Sequence, residues 1–260
     1  MTRSTYLDKI LSFHRERCAE DSRSFSMLFD QASRTTQPRG FTDAFQLAPG
    51  LSVIAEIKRR SPSKGLLRMD LVPEDIARLY EISGASCLSV LTDTDFFSGS
   101  PDDLIEARSA TALPVLRKDF TVDSRDICDA RIMGADCVLL IVAALDDAEL
   151  KDLLSLTKEL NMDALVETHD EGEVERALNA GAEMIGVNQR DLVTFEVDQE
   201  RALRVVQEIP QSIIRVAESG IRSIDDAKAL AEAGYIAVLV GEAFVTSEDP
   251  SSLISAFQGL

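Results

Sequence analysis

Histidine is nearly absent from this 260-residue chain: there are two, His14 and His169, more than a hundred positions apart. The four cysteines, Cys18, Cys87, Cys128 and Cys137, include no Cys-x-x-Cys pair. A zinc site of the usual Cys/His kind is therefore not expected. Cys87 and Cys137 stand inside apolar runs and read as buried free thiols of a reducing cytoplasm. Long hydrophobic runs are missing too. No stretch approaches the ~20 apolar residues of a membrane span, and Met1–Lys9 has no apolar core of a secretion signal. Basic residues are outnumbered, with 27 Lys and Arg against 45 Asp and Glu and a formal net charge of -18. A chain this acidic repels nucleic acid and anionic lipid, so neither is an expected partner. A small anionic substrate stays compatible, because a site can be locally basic. Absent as well is the Gly-x-Gly-x-x-Gly turn that marks many dinucleotide-binding open sheets.

What the chain does have is alternation. Short apolar runs occur at Val53–Ile57, Cys87–Leu91, Pro114–Leu116, Cys137–Val142, Ala164–Val166, Met184–Val187, Ile213–Val216 and Ile236–Val240. They are rich in Val, Ile and Leu without strict alternation, as buried parallel strands should be. Amphipathic segments lie between them. Pro73-Glu74-Asp75 opens one, with proline and acids suited to a first turn. Asp123, Asp170 and Ser223 are placed as N-caps of others. Glycines at 84, 134, 181 and 234 close four such segments, each just before an apolar run. Eight runs with intervening helices predict an α/β fold, a (β/α)₈ TIM barrel; a doubly wound open sheet is the rival. The chain reads as one domain, residues 1–260, with an N-terminal helical extension over 1–48 and the barrel over 49–260. Leu7, Ile10, Leu11 and Phe13 mark the extra helix, and Thr35–Gly50 reads as a connector.

In such barrels, catalytic groups gather at the C-terminal ends of the strands. The first strand ends in Glu56 and Lys58, two residues apart and so on one face. Charges aimed inward are costly unless they serve each other or a substrate. Other strand ends add Lys118, Glu167, Asn188 and Glu218. Any one of these has an ordinary reading as a solvated loop residue, but several together point to a site. For Arg117, Asp119, Asp93 and Thr168 the solvated-loop reading is preferred. Asp191 reads as a structural cap and His169 as a loop-entry residue. The last two strands lead into Glu218-Ser219-Gly220-Ile221 and Val240-Gly241-Glu242-Ala243. Backbone N–H groups there suit a phosphate.

Read together, these segments resemble one family. Ala55-Glu56-Ile57-Lys58-Arg59-Arg60-Ser61-Pro62-Ser63-Lys64-Gly65 is the most specific. It is followed in order by Ser89-Val90-Leu91-Thr92-Asp93 with Phe97-Ser98-Gly99-Ser100, and by Leu116-Arg117-Lys118-Asp119-Phe120. Next come Leu165-Val166-Glu167, Ile185-Gly186-Val187-Asn188-Gln189-Arg190-Asp191-Leu192, Ala217-Glu218-Ser219-Gly220-Ile221 and Leu239-Val240-Gly241-Glu242. The chain resembles the indole-3-glycerol-phosphate synthases of tryptophan biosynthesis. One position departs: Gln189 stands where the family usually has a second Asn.

The resemblance implies a decarboxylative, dehydrating ring closure. The substrate would be 1-(2-carboxyphenylamino)-1-deoxyribulose 5-phosphate, and the products indole-3-glycerol phosphate, carbon dioxide and water. By resemblance, Lys118 is the general acid, Glu167 the general base, and Lys58 the holder of the substrate carboxylate. Glu56 would orient the lysines, and Asn188 and Glu218 would hold substrate hydroxyls or intermediates. Ser61, Phe97, Phe120, Arg190 and Leu192 are the further substrate-binding candidates. Ser219, Gly220, Gly241 and Glu242 are the phosphate-binding ones, and Arg60–Gly65 is a candidate lid. Gly241→Asp is expected mainly to weaken binding through the phosphate. No metal or organic cofactor is implied. A monomer is compatible, with association with other tryptophan-pathway enzymes left open. Three rivals stay open at this point: a Schiff-base aldolase, a phosphoribosyl isomerase, and a silent barrel that only binds.

Overall fold

The computed structural model describes residues 5–61 and 64–260. Eight parallel strands close into a barrel: β1 (Ser52–Ile57), β2 (Cys87–Leu91), β3 (Val115–Lys118), β4 (Cys137–Ile141), β5 (Asp163–Thr168), β6 (Met184–Asn188), β7 (Ile214–Glu218) and β8 (Ala237–Val240). Each strand pairs with its sequence neighbours, and β1 pairs with β8 to complete the circle. This is the (β/α)₈ barrel that the alternation predicts, not the open sheet. Most of the expected apolar runs match the strand bodies, but β3, β5, β6 and β7 run on through Arg117-Lys118, Glu167-Thr168, Asn188 and Glu218. A hydrophobic criterion ends these strands early because their last residues are polar and inward or paired.

The helix punctuation follows the sequence signals. Asp123 and Ser223 cap the helices that follow them, and Asp170 does the same. Gly134 and Gly181 stop theirs in the left-handed region, at φ 94° and 92°. A side chain would be strained in that conformation.

Before the barrel come α1 (Tyr6–Glu20), α2 (Phe25–Ser33) and a short α3 (Asp43–Gln46). The connector between α2 and β1 is not loose. Asp136 and Asp163 sit at the N-terminal ends of β4 and β5 and accept the backbone N–H groups of Arg39 and Thr42. The segment thus runs beneath the barrel, and Phe41 is completely buried there. Tying down the bottom leaves the top, where strands end in acids and bases, for chemistry. Among the described residues, no helix is long and apolar enough to cross a membrane.

Candidate active site

One cavity of about 640 Å³ opens at the C-terminal ends of the strands. That size suits a small organic substrate. Every site residue named from the sequence lines it, from Glu56 on β1 and Lys58 just after it to Gly241 and Glu242 after β8. Pro62 and Ser63, at the tip of the expected lid, lie outside the described residues. The loop around them returns through a two-residue pairing of Arg60–Ser61 with Gly65–Leu66.

The centre of the cavity is a charge cluster. Lys118 Nζ donates to Glu167 Oε2 at 3.0 Å and to Glu218 Oε2 at 2.9 Å. Beside it, Lys58 Nζ donates to Glu56 Oε1 at 2.5 Å. These groups come from β3, β5, β7 and the β1 end, so no local stretch of chain could assemble them. Burial disfavours a charged Lys118, but Glu167, Glu218 and Glu56 outweigh it and hold the ammonium protonated above its usual range. Burial likewise opposes ionisation of Glu167. Lys118, His169 and the Asn188 amide overcome it and keep this carboxyl below the usual range. Glu218 goes the other way: burial pushes it up, Lys118 only partly opposes, and Glu167 adds to the rise. Two carboxyls sharing one cation are thereby driven apart in acidity.

Glu218 turns its second oxygen toward Gly186 on β6. Its Oε1 is buried and has no hydrogen-bond partner among the described residues. Room for this side chain comes from Gly186 on β6, where an added Cβ would collide with the Glu218 carboxylate. Neither the empty oxygen nor the reason for that glycine was legible in the sequence.

The walls divide by chemistry. Phe97 and Phe120 face each other with ring centroids 6.2 Å apart, and Leu192 lines the same cavity. At the β7 end, Ser219 and Gly220 adopt φ 64° and 71°. Lys64 Nζ and Arg190 Nη2 approach Glu242 at 3.0 and 3.9 Å. Ser61 accepts the backbone N–H of Lys64 at 3.2 Å. Asn188 accepts the N–H of Arg190 at 3.0 Å, which fixes the turn out of β6.

Four residues expected to be solvated loop groups are buried instead. Arg117 donates to Asp119 Oδ2 at 2.8 Å and to Thr92 Oγ1 at 3.2 Å. Asp93 accepts from His14 Nε2 at 2.9 Å, and Thr168 donates to the Gly186 carbonyl at 3.0 Å. For Arg117, Asp119 and Asp93 the reason is α1. It lies over the loop after β2 and shuts water out, with His14 itself only 1% exposed. A sequence pattern read strand by strand does not reveal which outer helix will cover a strand end. Asp191 caps as expected, accepting the N–H groups of Val193 and Thr194. His169 pairs with Glu173 at 3.0 Å and lies 3.5 Å from Glu167, closer to the chemistry than its loop-entry reading implied.

Comparison with known proteins gives one answer. A family model described as indole-3-glycerol phosphate synthase matches residues 7–257. A protein of that description from Polaromonas sp. is 47% identical, over 99% of this chain and 99% of its own. One from Mycolicibacterium vanbaalenii is 48% identical, over 98% of this chain and 94% of its own. Among solved structures, a thiamine phosphate pyrophosphorylase from Pyrococcus furiosus covers 80% of this chain and 94% of its own, at a TM-score of 0.60 and 17% identity. An N-acetylmannosamine-6-phosphate 2-epimerase from Clostridium perfringens covers 80% and 93%, with a TM-score of 0.61 and 14% identity. These two share the barrel alone. On the match along nearly its whole length, the chain belongs to the indole-3-glycerol phosphate synthase family.

Proposed function

We propose that this enzyme closes the indole ring of 1-(2-carboxyphenylamino)-1-deoxyribulose 5-phosphate through the Lys118 cluster. The observation that carries the residue roles is the single ammonium shared by two carboxyls of opposed acidity. Ring closure needs a proton delivered to the ketone oxygen while the ring carbon bearing the carboxylate attacks the ketone carbon. Carbon dioxide then leaves and restores the aromatic ring. Dehydration expels the hydroxyl formed from the ketone oxygen and removes a proton from the neighbouring nitrogen-bearing carbon. One acid and one base within reach of adjacent carbons serve both steps.

Lys118, kept charged by its neighbours, is the proton donor. Glu167, kept ionised, is the base. Asn188 and Glu218, the latter a carboxyl pushed toward its neutral form, hold substrate hydroxyls or intermediates from the cavity wall. Lys58, at the mouth with Glu56, holds the substrate carboxylate until it leaves. Phe97, Phe120 and Leu192 enclose the aromatic ring. Ser61, Arg190, Ser219, Gly220, Gly241 and Glu242 surround the phosphate, with Glu242 acting through its backbone. In this arrangement Glu242 keeps Lys64 and Arg190 near the anion end until a ligand arrives. Free thiols at all four cysteines accord with work in the cytoplasm, in reach of other tryptophan-pathway enzymes.

A Schiff-base aldolase needs a neutral, nucleophilic lysine, and the neighbours of Lys118 work against that form. A phosphoribosyl isomerase has no use for Lys58 as a carboxylate holder. The test is turnover of the carboxyphenylamino substrate followed by indole fluorescence, which suits a chain without tryptophan. Product without borohydride trapping on Lys58 or Lys118 is the expected result. Trapped substrate and no indole would overturn the reading.

A further inference from the structure

We propose that Gln189 and Gln199 are positioning residues that aim the anion cradle, each pinning one of two successive backbone carbonyls. The inference rests on the reading of Ser219–Ile221 as the phosphate cradle and names what shapes it. Gln189, 2% exposed at the end of β6, donates from Nε2 to the Ser219 carbonyl at 2.7 Å. Gln199, the first residue of the helix Gln199–Val205, donates from Nε2 to the Gly220 carbonyl at 2.9 Å. Two side chains from different elements thus hold neighbouring peptides of one turn.

The consequence follows from peptide geometry. In a trans peptide the C=O of one residue and the N–H of the next point in opposite directions within one plane, and no peptide in the described chain is cis. Pinning the Ser219 carbonyl therefore aims the Gly220 N–H away from Gln189. Pinning the Gly220 carbonyl aims the Ile221 N–H away from Gln199. Among the described residues neither of these N–H groups donates to a backbone carbonyl, while Ser219, Gly220 and Ile221 all line the cavity. Two adjacent free donors held on one side of a turn make an anion-binding concavity.

The left-handed conformations of Ser219 and Gly220 need such support. A serine at φ 64° is uncommon and persists where its surroundings fix it. The orientation of the Gln199 amide is settled by its neighbours. Its Oε1 accepts from Arg222 Nη2 at 2.7 Å and its Nε2 also reaches Asp226 Oδ1 at 3.2 Å. A flipped amide would set oxygen against both the Gly220 carbonyl and the Asp226 carboxylate. The Gln189 backbone is fixed as well, its N–H donating to the Glu218 carbonyl at 2.9 Å. That bond gives the side chain a fixed base from which to span to the next loop. The residue that departs from the family's usual Asn thus has a specific contact.

The experiment uses Gln189→Leu and Gln199→Leu in the full-length enzyme, with the carboxyphenylamino substrate, its dephosphorylated form, and inorganic phosphate as competing anion. Losing one amide–carbonyl bond should raise KM and the phosphate inhibition constant each by about tenfold. Turnover at saturation should stay within about twofold, since the cradle binds the phosphate alike before and during the chemistry. Reaction of the dephosphorylated substrate should be no slower than in the wild type. Gln199 is partly exposed and carries the test alone if the Gln189 variant does not fold. Unchanged KM and phosphate inhibition would overturn the clamp while leaving the cradle reading in place. An equal loss with the dephosphorylated substrate would overturn it too, as a general structural effect. Phosphate that fails to compete in the wild-type enzyme would remove the cradle reading itself, and the clamp with it.

Discussion

His14 Nε2 lies 2.9 Å from Asp93 Oδ2, and this one contact ties the helix before the barrel to the wall of the cavity. The other oxygen of Asp93 accepts the N–H groups of Phe96 and Phe97 at 2.6 and 3.1 Å. The His14 ring itself rests on Phe120, with centroids 5.5 Å apart. Phe97 and Phe120 are the residues proposed to enclose the aromatic ring. An element outside the barrel therefore supports the inside of its pocket.

Replacing His14 with alanine leaves a buried carboxylate oxygen without its donor. The loss expected is about 2 to 3 kcal/mol of stability, the range for stranding one partner of a buried charged hydrogen bond. KM should rise alongside, as the Phe96-Phe97 turn loosens. Urea unfolding and steady-state kinetics measure both. A stability change under about 0.5 kcal/mol, the level of an ordinary surface substitution, would refute a structural role for the pair.

The shared ammonium makes a second prediction. Glu167→Gln keeps the shape of the side chain and removes the proposed base, so turnover should drop by about 10² to 10⁴ with substrate binding largely kept. Lys118→Ala should drop it as far. It also strands Glu167 and Glu218 without their common cation, so its stability should fall more than that of Glu167→Gln. Near-normal turnover in either variant would reassign the acid or the base.

Much of this was legible in the chain. Period-two geometry is enough to put Glu56 and Lys58 on one face, and buried runs with glycine stops are enough for a barrel. The positions of Lys118, Glu167, Asn188 and Glu218 at strand ends follow from there. The burial of Arg117, Asp119 and Asp93 was not legible, because it depends on where α1 crosses the strand ends. Nor was the opposed acidity of Glu167 and Glu218. Both are glutamates after apolar runs, and only the arrangement around Lys118, with His169 and Asn188 on one side, separates them. Gly186 likewise reads as an ordinary strand residue until Glu218 is seen against it.

The weakened acidity of Glu218 has a thermodynamic sign. Its ordinary pKa is 4.5, and in the folded protein it is pushed up to about 7, burial being the largest cause. Between these values the folded protein holds the proton more tightly than the unfolded chain. The contribution to stability is therefore complete below the ordinary value and is lost as pH rises through the native one. Glu218→Gln removes the titration. The variant should gain stability relative to the wild type as pH is raised from about 5 to about 9, by about 1.4 kcal/mol for each pH unit separating the folded and unfolded pKa values, while losing activity. Thermal unfolding across that range is the measurement, and a constant difference between the two proteins would show that Glu218 does not titrate there.

The two glycines of the proposed phosphate cradle should fail differently when substituted. Gly220 stands at φ 71°, and a Cβ there would meet Val197 Cγ1 at 2.5 Å. Gly220→Ala should therefore distort the anion turn and raise KM, leaving the charge cluster in place. At Gly241 a Cβ would collide with Glu56 Oε1 and lie 3.1 Å from two further Glu56 carbons. Glu56 is 3% exposed and bonded to Lys58 at 2.5 Å, so moving it also moves that pair. The sequence-based expectation that Gly241→Asp mainly weakens binding through the phosphate leaves this contact out of account. Gly241→Ala should displace the Glu56–Lys58 pair and cut turnover by about 10- to 100-fold, the scale of an ångström-sized misplacement, in addition to raising KM. Paired measurements of kcat and KM for the two variants decide it. Loss confined to KM in both would mean that Glu56 tolerates the shift and is not needed where it stands.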